Sequence, residues 1–340
     1  MSKSSTMIGR QSWKGRPVRL GLALALLALA LPSAADAQTP APAKRDGWIT
    51  LGTQGGPQPN PHRGQPANLF LRGENVLLVD AGDGASERLV AAGVQLSSVR
   101  GVFLSHLHFD HSGGLFALLG LRHAISAPGV ITIYGPPRTK ELVNGIVAAM
   151  RPARETGYGA TSGPASEPMD GIQVVELRQG DKVTIGDVTV RVAENSHYGF
   201  APDDPKAGWA KSLSYRFESP ERTVVYTGDT GPSEAVAELA RGADLLVTEV
   251  IEMESTLAQI KRQVPNLPAP AFAALESHLR THHLTPEQVG ALAKAAHVGK
   301  VVLTHQLPGG NTEAATASLR DGVKRVFDGP VAVAADLDRF

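Results

Sequence analysis

The chain has 340 residues, with 33 Lys and Arg against 33 Asp and Glu, and no Cys. Without thiols there is no disulfide, no cysteine nucleophile and no thiolate metal ligand, so metal chemistry must run on His and carboxylates. The balanced charge argues against the broad basic surface with which nucleic-acid-binding proteins displace counterions.

Residues 1–37 read as a secretory signal peptide. Lys3, Arg10, Lys14, Arg16 and Arg19 make a basic head, Leu20 to Leu31 is an apolar run, and Ala35-Asp36-Ala37 offers a small-x-small cleavage site. The run is shorter than the roughly 20 residues of a membrane span, and no Arg-Arg pair precedes it, which favours the general secretory route. Cleavage before Gln38 leaves 28 basic and 32 acidic side chains. A periplasmic or secreted protein with no membrane anchor is expected. Residues 38–47 then form a linker, Ala- and Pro-rich over Gln38–Arg45, and residues 48–340 one globular domain.

From Trp48 onward, short β-branched runs alternate with Ala- and Leu-rich helical segments, the pattern of an α/β protein. Val76–Val79 predicts a strand ending at Asp80, Ser86–Ala92 a short helix stopped by Gly93, and Val99–Leu104 a strand running into His106. Arg151–Asp170 and Phe200–Gly208 read as irregular surface stretches. Thr223–Tyr226 predicts a strand ending near Asp229. A helix follows from Pro232 to Arg241, and then a strand over Asp244–Val247 that ends near Glu249. Thr285-Pro286-Glu287-Gln288 is a capping box opening a helix to Ala296, and Lys300–Leu303 is a strand that delivers His305. In such units the strand ends and helix starts share one edge. Asp80, His106, Asp229, Glu249, His283 and His305 should therefore gather on the rim where α/β sheets bind ligands.

The most specific signal is His106-Leu107-His108-Phe109-Asp110-His111. Three imidazoles and a carboxylate in six residues are costly to bury without partners, and they suit Zn2+ or a similar divalent metal. Alternation along the chain can put His106 and His108 on one side, and the following turn can aim Asp110 and His111 at a second position.

The hexapeptide resembles the HxHxDH motif of metallo-β-lactamase-fold hydrolases. Glu194-Asn195-Ser196-His197, Tyr226-Thr227-Gly228-Asp229-Thr230 and Val302-Leu303-Thr304-His305 are similar to that family's later motifs, in order. The resemblance covers about Trp48 to His305. It implies an αββα sandwich and two divalent metal ions, with zinc first among the candidates. His106, His108 and His197 would bind one, Asp110, His111 and His305 the other, and Asp229 would bridge them. Asp80 would be the carboxylate that steadies a metal-bound imidazole.

Within the superfamily, Asp244 to Glu249 and His282-His283-Leu284-Thr285 resemble two motifs of the ribonuclease Z-like branch. That likeness implies a general acid, His283, oriented by Glu249, so that Asp110, His283 and Glu249 form the catalytic set. His282 is the rival to His283, and Thr248 departs from the branch, which often has His there. His62, His123, His278 and His297 have no motif around them and read as surface or helix residues. Tyr198 and Trp209 are candidates to line a pocket, though packing also explains them.

Leu51-Gly52-Thr53-Gln54-Gly55-Gly56 and the export signal resemble the arylsulfatase-type members. The first expectation is therefore an exported hydrolase of small aryl or alkyl sulfate esters, acting through metal-activated water. No nucleic acid is expected as a partner, and a homodimer stays open. The alternatives are a phosphodiesterase or ribonuclease Z-like nuclease, a lactonase or β-lactamase, and a non-catalytic zinc-binding protein.

Overall fold

The computed structural model describes residues 46–156, 167–310 and 312–340. The signal peptide and all but the last two residues of the linker, with 157–166 of the expected Arg151–Asp170 loop, lie outside the described residues. Among those described, no helix is long and apolar enough to cross a membrane.

Two seven-stranded sheets stack face to face. The first contains β1 (Asp46–Gly52), β2 (Ala67–Arg72), β3 (Asn75–Ala81), β4 (Gly101–Phe103), β5 (Ile131–Gly135) and β6 (Ile172–Glu176). The second contains β7 (Lys182–Ile185), β8 (Val188–Glu194), β9 (Leu213–Glu218), β10 (Thr223–Tyr226), β11 (Leu245–Ile251), β12 (Val301–Leu307) and β13 (Val331–Val333). The last strand, β14 (Asp338–Arg339), returns to pair with β1. Each sheet is antiparallel on one side and parallel on the other. β3 to β6 are parallel neighbours in the first sheet, and β10 to β13 in the second.

Strands covered on both faces read as near-continuous apolar runs, and β3 shows why. Leu77 and Val79 face the other sheet, where they join Trp48, Phe70, Phe103, Tyr215 and Phe217. Val76 and Leu78 face the outer helices. Helices α1 (Ala85–Ala91), α2 (Phe109–Ser112), α3 (Leu115–Ala124) and α4 (Thr139–Thr156) belong to the first half. Helices α5 (Glu234–Ala240), α8 (Pro286–Ala295) and α9 (Glu313–Lys324) cover the second sheet, whose outer core includes Val225, Leu246, Val289, Leu303 and Val323. This is an αββα sandwich. Between β11 and α8, α6 (Met253–Gln263) and α7 (Ala269–His282) form an arm with its own small core of Ile251, Met253, Leu257 and Leu279.

Several element ends differ from the sequence reading, each for a local reason. The capping box forms: the Thr285 hydroxyl accepts from the Gln288 N–H, while the Gln288 side chain accepts from the Thr285 N–H. α5 begins after Ser233, whose hydroxyl caps it, so Pro232 stays outside the helix. α4 continues through Pro152 to Thr156, so the first part of the expected loop is helical. β11 and β12 run past their expected ends. Their register shifts between Thr248 and Val250, and His305 has a φ of 43°. An irregularity of this kind re-aims side chains within a ladder, and here it lies at Glu249 and His305.

Candidate metal centre

The site lies at the rim where β3, β4, β8, β10, β11 and β12 end. Asp80, at the end of β3 with a φ of 59°, is fully buried and organises the first half of it. Its Oδ1 accepts from the Ser105 N–H at 2.7 Å. Its Oδ2 accepts from the Ser105 hydroxyl at 2.8 Å, the Tyr226 hydroxyl at 2.7 Å and His111 Nδ1 at 2.7 Å. Because Ser105 donates its proton to Asp80, its oxygen is left to accept from His106 Nδ1 at 3.1 Å. Across the site, His197 Nδ1 donates to the His282 carbonyl at 3.3 Å. A ring nitrogen held by a hydrogen bond fixes the tautomer and leaves the other nitrogen as a ligand.

The freed atoms converge in two groups. His106 Nε2 lies 2.9 Å from His108 Nδ1, which lies 3.3 Å from His197 Nε2. Asp110, His111 and His305 form the second group, with Asp110 Oδ2 3.5 Å from His111 Nε2 and 3.6 Å from His305 Nε2. Asp229 stands between them. Its Oδ1 is 3.3 Å from His111 Nε2, its Oδ2 is 3.2 Å from His305 Nε2, and it also clusters with His106.

The residues fit divalent metals on the structure's own terms. Asp229 Oδ1 and His111 Nε2 face each other, buried and without a hydrogen bond, and orphaned polar atoms of this kind need an explanation. Imidazole nitrogens and carboxylate oxygens are the donor set that divalent metals of the zinc type prefer. Burial, reinforced by neighbouring imidazoles, pushes His106 and His197 well below the usual histidine range and so keeps them neutral. Burial opposes ionisation of Asp229, but His305 and His111 outweigh it and hold the carboxyl well below the usual range.

Beside this cluster, His283 Nδ1 and Glu249 Oε2 are 2.6 Å apart and both residues are buried. Glu249 Oε1 accepts from the Thr230 N–H at 2.5 Å, which fixes the carboxylate. Burial lowers the His283 pKa, but Glu249 more than reverses this and raises it above the ordinary value. His282 is engaged elsewhere: its Nδ1 donates to the Ser196 carbonyl at 2.7 Å, and its ring packs against Gly199.

Two residues at the site were missed or undervalued in the sequence. His278, read there as an ordinary helix residue, lines the cavity over the cluster, with ring centroids 5.4 Å from His197 and 5.7 Å from His283. Its four-residue spacing from His282 on α7 was the available signal. Tyr226 ends β10 and reaches Asp80 of the other half. Tyr198 packs edge-on to His108. Trp209 lies apart, in a groove with Arg138 stacked over its ring at 4.3 Å.

Residues 75–306 match the beta-lactamase superfamily domain. Ribonuclease Z of Mycobacterium bovis is 31% identical over 263 residues, 76% of this chain and 86% of that protein. Ribonuclease Z of Mycolicibacterium paratuberculosis is 32% identical over 265 residues, with the same coverage. Among solved structures, the metallo-beta-lactamase fold protein YhfI from Bacillus subtilis superposes with a TM-score of 0.62 at 21% identity, covering 86% of this chain and 97% of that one. The short form of human tRNase Z superposes with a TM-score of 0.58 at 18% identity, covering 86% and 98%.

These relatives overturn two expectations, the sulfate ester as substrate and the absence of a nucleic-acid partner, since the proteins matched over three quarters of this chain are ribonucleases by name. Net charge is a property of the whole surface, whereas an anionic substrate meets the site. The glycine-rich opening that pointed to sulfate serves the site's own packing: a Cβ on Gly55 would lie 2.9 Å from His305 Nδ1. The fold, the sequence match and the ribonuclease homologues agree that this chain belongs to the metallo-β-lactamase superfamily, as a hydrolase homologous to ribonuclease Z.

Proposed function

We propose that this chain is a two-metal phosphodiesterase that cleaves RNA. The buried Glu249–His283 pair beside the ligand cluster carries this reading. Cleaving an RNA phosphodiester expels a ribose oxygen, a poor leaving group that must gain a proton as the P–O bond breaks. Glu249 accepts from Nδ1 and so leaves Nε2 of His283 to give that proton. General acid catalysis of this kind is worth about 10²–10⁴-fold. The ribonuclease Z homologues supply the substrate class.

His106, His108 and His197 would hold one divalent ion and Asp110, His111 and His305 the other, with Asp229 shared and zinc first among candidates. When bound, such ions supply charge neutralisation for phosphate oxygens and activation of water. The protein's part is to fix the ligand nitrogens through Asp80, Ser105 and the His282 carbonyl. It also holds the acid in place. The signal-like residues 1–37 extend the proposal to a periplasmic or secreted enzyme, which N-terminal sequencing of the exported protein checks.

The decisive assay compares the purified, zinc-loaded chain on precursor tRNA, bis(4-nitrophenyl) phosphate, a lactone and a cephalosporin. RNA and diester cleavage should dominate. A lead of about a hundredfold in kcat/KM for the lactone or the cephalosporin, roughly 2.7 kcal/mol of transition-state preference, overturns the reading.

A further inference from the structure

The cluster opens into a cavity of about 470 Å³ whose character changes from floor to wall. The floor carries the imidazoles and the carboxylates of Asp110 and Asp229. The far wall comes from the α6–α7 arm, with Ile260, Val264, Leu275 and Leu279. Among the described residues, no Lys or Arg lines the cavity. A phosphate can sit at the floor, where metals would neutralise it, but the described wall residues offer no cation to match a second charge. An uncharged group suits the upper part best.

Phe109 lines the same cavity. It is 87% exposed, although it lies between the cluster residues His108 and Asp110 in the first turn of α2. A large aromatic side chain this exposed at the mouth of a cavity has apolar surface available to a ligand. Gln259 and Gln263, one turn apart on α6, add amides at the same mouth. An amide offers both donors and an acceptor. A flat group with apolar faces and a polar edge matches all three features, and a nucleobase is such a group.

We propose that this cavity is a nucleobase site, in which the base flanking the scissile phosphodiester stacks on Phe109 and lies against the α6–α7 wall. The proposal rests on the RNA phosphodiesterase reading and adds to it the group that positions the substrate. The arm suits this role because its own core, Met253, Leu257 and Leu279 against Ile251 of β11, ties it to the sheet that supplies Glu249.

The test uses two diesters with the same leaving group, thymidine 5′-(4-nitrophenyl phosphate) and methyl 4-nitrophenyl phosphate, on the zinc-loaded full chain. Base stacking on an aromatic side chain should favour the thymidine ester by about tenfold or more in kcat/KM. Phe109→Ala should collapse that ratio towards one and Phe109→Trp should preserve it. Leu275→Asn, on the α7 wall, should lower it without touching the metal loop. Competitive inhibition by thymidine 5′-monophosphate should weaken in parallel. Equal use of both esters by the unaltered chain, or an unchanged ratio in Phe109→Ala and Leu275→Asn, overturns the base site and leaves the phosphodiesterase reading standing. Hydrolysis of neither ester, with precursor tRNA also uncut, overturns that reading and the base site with it. Dissociation of a dimer by Phe109→Ala would show that a second copy covers this residue, and would also overturn the proposal.

Discussion

In the first half of the sandwich, four candidate ligands arrive together on one turn after β4, from His106 to His111. In the second half, His197, Asp229, Glu249 and His305 come singly from β8, β10, β11 and β12, and His283 from the end of α7. The first half makes a site by local geometry. The second makes one only through its sheet topology, since parallel neighbours β10, β11 and β12 bring their ends to the same edge. Asp229 is where the two solutions meet, because its oxygens face His111 of the local turn and His305 of the distant strand.

Removing that meeting point should have the largest effect. Asp229→Ala takes away the carboxylate shared by both ligand groups. It should strip metal from the purified protein and cut turnover by at least about 10³-fold, some 4 kcal/mol of transition-state stabilisation. His108→Ala removes a candidate ligand of one group only and should leave more metal than Asp229→Ala does. Elemental analysis of both variants makes the comparison. Full metal content in Asp229→Ala would mean that the local turn holds its ions without help from the second half.

The next effect separates chemistry from metal binding. His283→Ala should keep its metal and lose about 10²–10⁴-fold in kcat on diesters with alkoxide leaving groups, and much less on nitrophenyl esters. Glu249 raises the His283 pKa against the opposing effect of burial, so the acid form persists to higher pH than in a free histidine. Activity should fall on the alkaline side as His283 loses its proton. Glu249→Gln removes the group that raises this pKa and should move that limb to lower pH. Equal losses for good and poor leaving groups in His283→Ala would assign the residue to structure rather than proton transfer.

What could be read from the sequence follows the same division. The hexapeptide was legible because three imidazoles and a carboxylate so close together have few structural uses. The capping box at Thr285 was legible because hydroxyl, proline and amide each have a fixed local role. The ends of β11 and β12 were not, because the shift between Thr248 and Val250 and the positive φ at His305 depend on strand pairing rather than on local propensity. His278 was missed because its company, His197 and His283, assembles only when α7 packs over the rim. The substrate was misjudged because the glycine-rich opening read as a sign of sulfate packs against the site itself, and the nucleic-acid partner was dismissed because net charge describes the whole surface rather than the site.

The smallest expected effect probes the bond between the halves at Asp80. This carboxylate lies on β3, yet one of the donors to its Oδ2 is the Tyr226 hydroxyl of β10. The other two, His111 Nδ1 and the Ser105 hydroxyl, set the ligand nitrogens of His111 and His106. Asp80→Asn preserves shape but makes one atom a donor. Either Ser105 N–H or the three donors now meeting at Oδ2 must then face an N–H group, leaving buried groups unpaired at a cost of about 1–3 kcal/mol. Metal affinity should fall by about 10–100-fold, as is usual when the partner of a ligating imidazole is removed. Tyr226→Phe deletes one donor and leaves Asp80 able to hold both Ser105 and His111, so it should cost about 1 kcal/mol of stability and little affinity. Chelator competition reads the affinities and thermal unfolding the stabilities. A Tyr226→Phe variant that loses as much metal as Asp80→Asn would show that the second half orients the local turn as well as adding ligands to it.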